Sequence, residues 1–172
     1  MVLSLFRKST AAEPVKAVYA AIVTQSRQPA FYADWGVPDT VTGRFDILSL
    51  HLALLLRRLR HEEEARRFSQ ALFDLFLEDM DRSLRDLGIG DLSIPKRIKQ
   101  MTGLFYGLLA RLDAAGDDIG TLEAVLIRNI YGGTANDGAA PLASYVAAEM
   151  ARLAGQPVAA ILAGKVEMGE AA

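Results

Sequence analysis

Large apolar residues recur at intervals of three or four along most of this chain, and this spacing limits it to helices packed on helices. The clearest case is a stripe in the middle of the chain: Phe68, Leu72, Phe76, Met80, Leu84 and Leu87. Residues three or four apart lie on one face of a helix. No stretch alternates apolar and polar residues as a strand would. We therefore predict an all-α, single-domain bundle of six or seven helices.

Prolines and glycines predict where these helices begin and end. Pro14, Pro95, Pro141 and Pro157 suit the first turn of a helix, where a missing backbone N–H is not needed. Gly88 suits the position just after a helix. We expect helices at about 14–27, 43–60, 62–87, 95–115, 118–131 and 141–154, and a short one after residue 157.

The chain is expected to form one folded body with two loosely held ends. Hydrophobic residues make up 51% of the 172 residues, which is enough for a core at this size. All predicted helices fall within residues 14–163. We expect a flexible N-terminus at 1–13, a helical domain at 14–163 and a frayed tail at 164–172.

The composition excludes several kinds of functional site. Cysteine is absent, which removes disulfides, thiolate chemistry and sulfur-ligated zinc sites. The formal net charge of −2 makes nucleic acid a poor partner. His61 and Glu62 begin a metalloprotease pattern, but Ala65 stands where its second histidine would be. We predict no catalytic residues, no metal and no cofactor.

Two other functions stay open at this stage. The carboxylates of residues 74–86 could perform acid–base chemistry with His51 in a helical enzyme, although ion pairs and a core histidine explain these residues more simply. Alternatively, Met1–Lys8 and Ile47–Leu56 could lie on a membrane surface, although a buried core helix explains the second run more simply. The basic patch at 95–99 is either solvated surface or a site for phosphate or an acidic headgroup.

The segment Gln28–Thr42 differs in composition from the rest of the chain. It contains two of the six prolines and three large aromatic residues: Phe31, Tyr32 and Trp35. The prolines and Gly36 predict a non-helical connection. Large aromatic side chains in a connection pack on the body of the protein or against a partner.

Arg44 and Asp46 follow this segment at the start of the second long helix. We expect Arg44 to tie the segment to the bundle. Trp, Tyr and Arg are the residues that dominate protein interfaces. The segment therefore either seals the bundle or forms part of a partner-binding surface.

Several blocks of the sequence together resemble the ubiquinol–cytochrome c chaperone family. Their order and spacing fit that family across about residues 15 to 110. The blocks are Phe31-Tyr32, Gly36-Val37-Pro38-Asp39-Thr40, Gly43-Arg44-Phe45-Asp46, Leu50-His51, Arg57-Arg58-Leu59, Gln70-Ala71-Leu72-Phe73-Asp74, Asp79-Met80-Asp81, Leu84-Arg85, Gly88-Ile89-Gly90-Asp91-Leu92, Lys99-Gln100-Met101 and Phe105-Tyr106-Gly107.

The resemblance implies a helical, non-enzymatic chaperone for assembly of respiratory complex III, with newly made cytochrome b as its client. Because no long presequence precedes the matching blocks, we expect a bacterial-type member of the family. We expect it to be cytoplasmic and to lie at the inner membrane as a peripheral protein. We chose candidate partner-binding residues from the matching blocks and the aromatic segment. They are Phe31, Tyr32, Trp35, Val37, Asp39, Arg44, Asp46, His51, Asp79, Arg82, Arg85 and Asp91.

Overall fold

The computed structural model describes residues 12–171, and that part of the chain is all-α. No strand forms there, and a 3-10 turn at Glu63–Ala65 joins the third helix to the fourth. The prediction of an all-α, single-domain bundle is confirmed. Residues 1–11 of the N-terminus predicted to be flexible lie outside the described residues. The helices are α1 (Glu13–Ser26), α2 (Pro29–Ala33), α3 (Val41–Leu59), α4 (Arg66–Asp86), α5 (Ile94–Ala115), α6 (Ile119–Asn129), α7 (Ala139–Ala154) and α8 (Val158–Leu162).

Helix α3 lies at the centre of the bundle and contacts α1, α4, α5 and α7. Thr40 caps its first turn, because the Thr40 hydroxyl accepts a 3.1 Å hydrogen bond from the Gly43 N–H. Every residue from Ile47 to Leu55 is buried. A helix that is apolar on all sides belongs in this position.

Helix α4 buries the apolar stripe that its spacing predicts. Leu72, Phe76, Met80 and Leu84 are buried against the core. Leu87 is different, because α4 ends at Asp86 and the chain then turns away, which leaves Leu87 54% exposed. The outer face of α4 remains charged and solvated.

The segment Gln28–Thr42 contains a short helix where its prolines and Gly36 predict none. Helix α2 starts at Pro29, because a proline in the first turn needs no N–H partner. After α2 the chain turns at Gly36, whose φ of +64° is a conformation that favours glycine. The proline therefore marks the start of a helix here and not the lack of one.

The C-terminal residues expected to be frayed are instead bonded to the helical body, so that expectation is wrong for residues 165–171. The Gln156 side chain forms hydrogen bonds of 2.7 and 2.8 Å with the backbone of Glu167. The Gly169 N–H donates to Glu149 Oε2 at 2.8 Å. Polar side chains thus satisfy backbone groups that would otherwise need water.

The apolar run Ile47–Leu56 lies inside the bundle, so the interpretation that it lies on a membrane is wrong. Leu56 is half-buried and the rest of the run is buried. The other stretch considered for that role, Met1–Lys8, lies outside the described residues. Among residues 12–171, no helix combines the length and the apolar character needed to cross a bilayer.

Candidate functional site

Buried aromatic rings attach the segment Gln28–Thr42 to the bundle. The ring of Phe31 meets those of Trp35 and Tyr145 edge-on, with centroid distances of 5.4 and 5.2 Å. It also meets the His51 ring at 5.4 Å. Such edge-to-face pairs are favourable because a positive ring edge faces a negative ring face. The segment is therefore packed against α3 and α7.

Two glycines allow the backbone of this segment to approach the helices closely. A Cβ atom at Gly43 would overlap the Pro38 carbonyl oxygen, and one at Gly138 would overlap the Trp35 carbonyl oxygen. That Trp35 oxygen also accepts a 2.8 Å hydrogen bond from the Tyr131 hydroxyl. Backbone contacts at Gly43 and Gly138 thus also hold the segment against α3 and the start of α7.

Hydrogen bonds on both ring nitrogens hold His51 in the core. Its Nδ1 lies 2.8 Å from the Ile47 carbonyl oxygen, which only accepts, so Nδ1 carries the proton. Nε2 therefore accepts from the Tyr145 hydroxyl at 2.7 Å. That hydroxyl in turn accepts from Gln25 Nε2 at 2.7 Å. Burial lowers the pKa of His51 to about 4, which keeps the ring neutral at pH 7.

Four of the residues predicted to contact a partner lie in the core instead. Phe31 is 0% exposed, Trp35 6%, Val37 2% and His51 1%. A partner could reach them only by opening the bundle, so the prediction of direct contact is wrong for these four. Contacts within the chain itself bury these four side chains, and the four in turn hold their exposed neighbours in position.

Three exposed or half-exposed candidates surround a shallow opening that we term the Arg44 cleft. Arg44 Nε donates to Asp39 Oδ1 at 2.7 Å, and the guanidinium carbon lies 5.9 Å from the centre of the Tyr32 ring. The hydrogen bond from Arg44 lowers the pKa of Asp39, and burial raises the pKa of Tyr32. Arg27 and Pro29 complete the cleft, which has a volume of about 430 Å³. Arg44 thus ties the segment to α3, as expected.

A second group of candidates lies on α4 and contacts α1. The Tyr19 hydroxyl donates to Asp79 Oδ2 at 2.8 Å, and Arg82 Nη1 lies 3.5 Å from Asp79 Oδ1. Burial, and then the Asp79 charge, raise the pKa of Tyr19. Arg27 follows the last residue of α1, the helix that carries Tyr19, and it also lines the Arg44 cleft. Helix α1 therefore connects this group to the Arg44 cleft.

Arg85 and Asp91, the last two α4-side candidates, join the end of α4 to the loop before α5. Arg85 Nε contacts Asp81 Oδ2 at 2.7 Å, and Arg85 Nη1 contacts Asp91 Oδ1. All three charges are at the surface. The shared arginine holds the loop against the helix and partly neutralises both carboxylates.

Asp46 lines a different opening, the Asp46 cleft, between α3, α5 and α6. It forms no hydrogen bond or ion pair with any described residue, and burial alone raises its pKa to about 7. Beside it the buried Ser49 hydroxyl also lacks a hydrogen-bond partner among residues 12–171. Leu104, 58% exposed, lines the same cleft. The cleft can accept a hydrogen-bonding group from outside.

Besides Tyr19, Arg27 and Pro29, sequence reasoning missed four residues of these sites: Gln25, Ser49, Leu104 and Tyr145. Leu104 carries a usable signal, because it stands one position away from the buried stripe of α5 and is therefore expected to face water. The other three carry none, because their importance depends on contacts between distant helices. Tyr145 lies 94 positions from the His51 that it contacts.

The geometry favours binding over acid–base chemistry. Both nitrogens of His51 are occupied by Ile47 and Tyr145, so the enzyme hypothesis that joined His51 to the carboxylates of residues 74–86 lacks its central contact. No group of three or more acidic or histidine side chains in the described part of the chain is placed to hold a metal ion. The exposed groups are instead charged and aromatic side chains around open clefts.

Comparison with known proteins identifies relatives across most of the chain. The family model described as Ubiquinol-cytochrome C chaperone matches residues 33–168. The crystal structure of the Cbp3 homolog from Brucella abortus superposes with a TM-score of 0.85 at 38% identity, covering 92% of this chain and 90% of that one. The ubiquinol-cytochrome-c reductase complex assembly factor 1 of Xenopus laevis is 24% identical over 123 residues, 70% of this chain. The chain spans 61% of the length of that curated relative.

Proposed function

The chain belongs to the ubiquinol-cytochrome C chaperone family, and on this premise we propose that it assists assembly of ubiquinol–cytochrome c reductase by binding newly made cytochrome b. In this proposal the protein holds its client and catalyses no reaction. The family match over residues 33–168 carries the proposal. That range includes the Arg44 cleft residues Asp39 and Arg44, the α4 group and the Asp46 cleft.

We place the client surface at the Arg44 cleft and the adjoining α4 group. Charges of both signs lie there, with Arg27, Arg44 and Arg82 beside Asp39 and Asp79. Charges in a fixed arrangement favour one orientation of a partner and disfavour others. The half-exposed ring of Tyr32 adds apolar area next to these charges, which suits a client with apolar segments.

The protein acts, in this proposal, on the cytoplasmic side of the inner membrane as a peripheral component. A client that is itself embedded in the bilayer would be met there as it is made.

The binding of a client is supported by the packing next to the Arg44 cleft. The ring of Phe31 packs against those of Trp35 and Tyr32 and holds the cleft in a fixed shape. A preformed surface loses little conformational entropy when it binds.

The test is co-purification of the tagged protein from detergent-solubilised membranes, with mass spectrometry of what accompanies it. We expect cytochrome b to be enriched over other membrane proteins. The double variant Arg44→Ala/Asp39→Ala should lose most of that enrichment, because it removes the ion pair that shapes the cleft. Its folding should be unaffected, since both side chains are exposed.

The matched control is Arg66→Ala/Glu63→Ala, which removes another exposed ion pair, of 3.0 Å, elsewhere on the surface. It should recover cytochrome b as well as the unmodified chain does. Equal loss in both double variants would place the client surface somewhere other than the Arg44 cleft. A preparation free of cytochrome b would contradict the chaperone function itself.

A further inference from the structure

The corner between α4 and α5 carries the most exposed large apolar side chain in the described part of the protein. Leu92 is 99% exposed, and Leu87 is 54% exposed at the other end of the same loop. The loop runs through Gly88 and Gly90, and a Cβ atom at either glycine would meet nothing within 4 Å. Leu92 therefore projects from the protein as an isolated apolar tip.

Positive charge surrounds this tip. Residues 85–100 contain four basic and two acidic side chains, although the chain as a whole has a net charge of −2. Lys96, Arg97 and Lys99 are exposed on the first turns of α5, and none forms an ion pair with a described residue. Arg85 contacts both Asp81 and Asp91, which reduces the negative charge next to Leu92.

We propose that the α4–α5 corner contacts the surface of a bilayer that contains anionic lipids. Leu92 enters the boundary between headgroups and acyl chains, and Lys96, Arg97 and Lys99 lie against the headgroups. This proposal rests on the proposed function, because a client made in the membrane requires the chaperone to work at that surface.

The shape of the corner distinguishes a bilayer from a protein as its partner. A protein that covered Leu92 would need a pocket complementary to it, and this side chain lies in no cleft of its own. A bilayer accepts any projecting apolar side chain that has cations at the same level. Lys96 and Lys99 lie within one turn of each other at the start of α5, four and seven residues after Leu92.

The experiment is flotation of the full chain with vesicles of phosphatidylcholine, with and without phosphatidylglycerol. We expect binding to the vesicles that contain phosphatidylglycerol, weakening as salt is added, and little binding to phosphatidylcholine alone. Leu92→Ser and Lys96→Glu/Lys99→Glu should each reduce binding by about tenfold or more. Equal binding to both kinds of vesicle, or binding to neither, would overturn the proposal.

Matched controls separate the corner from general effects of charge and apolarity. Arg67→Glu/Arg128→Glu reverses two exposed charges elsewhere, and Ile119→Ser removes a leucine-sized side chain that is 48% exposed. Both should bind vesicles nearly as the unmodified chain does. Loss of binding in these controls equal to that in the corner variants would refute a specific role for the corner.

The outcome is distinguishable from that of the chaperone test, which is made in detergent and contains no bilayer. If Leu92→Ser bound vesicles as well as the unmodified chain does, this proposal would be rejected, while recovery of cytochrome b would be unaffected. If Leu92→Ser instead lowered recovery of cytochrome b in detergent but bound vesicles normally, the corner would be a protein contact, and the bilayer proposal would be wrong.

Discussion

The carbonyl oxygen of Trp35 lies so close to Gly138 that no side chain fits between them. This contact joins the segment before α3 to the start of α7, and the Tyr131 hydroxyl donates a hydrogen bond to the same oxygen. The position of the Arg44 cleft thus depends on a residue about a hundred positions away. Gly138 has a φ of −74°, so its requirement is for space and not for an unusual backbone conformation.

Replacing Gly138 with alanine should therefore destabilise the protein. The added Cβ atom must displace the Trp35 backbone, and we expect the free energy of unfolding to fall by about 1–3 kcal/mol in urea denaturation. Gly103→Ala is the control, because Gly103 lies on α5 with nothing within 4 Å of its Cβ position. That variant should gain roughly 0.5–1 kcal/mol from helix propensity. Equal stability in both variants would contradict the close approach.

Removing the Tyr145 hydroxyl should cost more than removing an exposed one. In Tyr145→Phe, the buried Nε2 of His51 loses its donor, and Gln25 loses one acceptor. We expect a loss of about 1–3 kcal/mol in the free energy of unfolding, since a buried polar group is left without a partner. Tyr106→Phe, at a site 53% exposed, should change stability by less than about 0.5 kcal/mol. If Tyr145→Phe left the free energy of unfolding unchanged, a water molecule would have to replace the hydroxyl.

Asp46→Asn should stabilise the protein above pH 7. Burial raises the pKa of Asp46 in the folded state to about 7, whereas the ordinary value is 3.8. The folded state therefore holds this proton more tightly, and stability falls as pH rises from about 4 to 7. The variant removes that penalty, with a gain on the order of 1–2 kcal/mol at pH 8 that shrinks as pH falls and vanishes below about pH 4. Exposed Asp74→Asn should show no such gain in parallel urea titrations.

His51 has the opposite effect on stability, and measuring it in the Asp46→Asn background removes the contribution of Asp46. Burial lowers the pKa of His51 to about 4 from an ordinary 6.5. The unfolded chain therefore binds the proton more tightly, and the contribution to stability is complete above about pH 6.5 and lost as pH falls toward 4. We expect a decrease on the order of 3 kcal/mol over that range, measured by urea denaturation at each pH.

The remaining histidine provides the control for that measurement. His61 is exposed, so His61→Gln should leave the pH dependence between 4 and 6.5 unchanged. His51→Gln should remove it, and should also lower stability at pH 7 because the contacts to Ile47 and Tyr145 are altered. If His61→Gln removed the dependence instead, the neutral buried state of His51 would be wrong.

Much of the fold could be predicted from the sequence, because burial follows helical spacing wherever a helix is long. The stripe of α4 and the all-round apolar character of α3 both led to correct placements. Helix α2 could not be predicted in this way, since five residues are too few to show a period. The attached tail could not either, because it depends on single polar side chains such as Gln156 and Glu149.

The candidate site was harder to predict than the fold. A residue type typical of interfaces, such as Trp35 or Phe31, is equally suited to a core, and only the packing of distant helices separates the two. Asp39 and Arg44 were identified because they belong to the blocks that resemble the family and lie in or next to the aromatic segment. Among residues 12–171, Asp46 has no hydrogen-bond or ion-pair partner, which is a property of the whole arrangement of α3, α5 and α6 that no local sequence pattern expresses.

Trp35 is the only tryptophan of the chain, and it lies buried between the rings of Phe31 and Tyr145. Its indole is therefore a built-in optical probe of one joint, where the segment before α3 meets α7. A shift of its emission toward the red would report that this joint has opened while circular dichroism still recorded intact helices. Whether a client loosens the joint or leaves it closed could thus be followed in solution without attaching a dye.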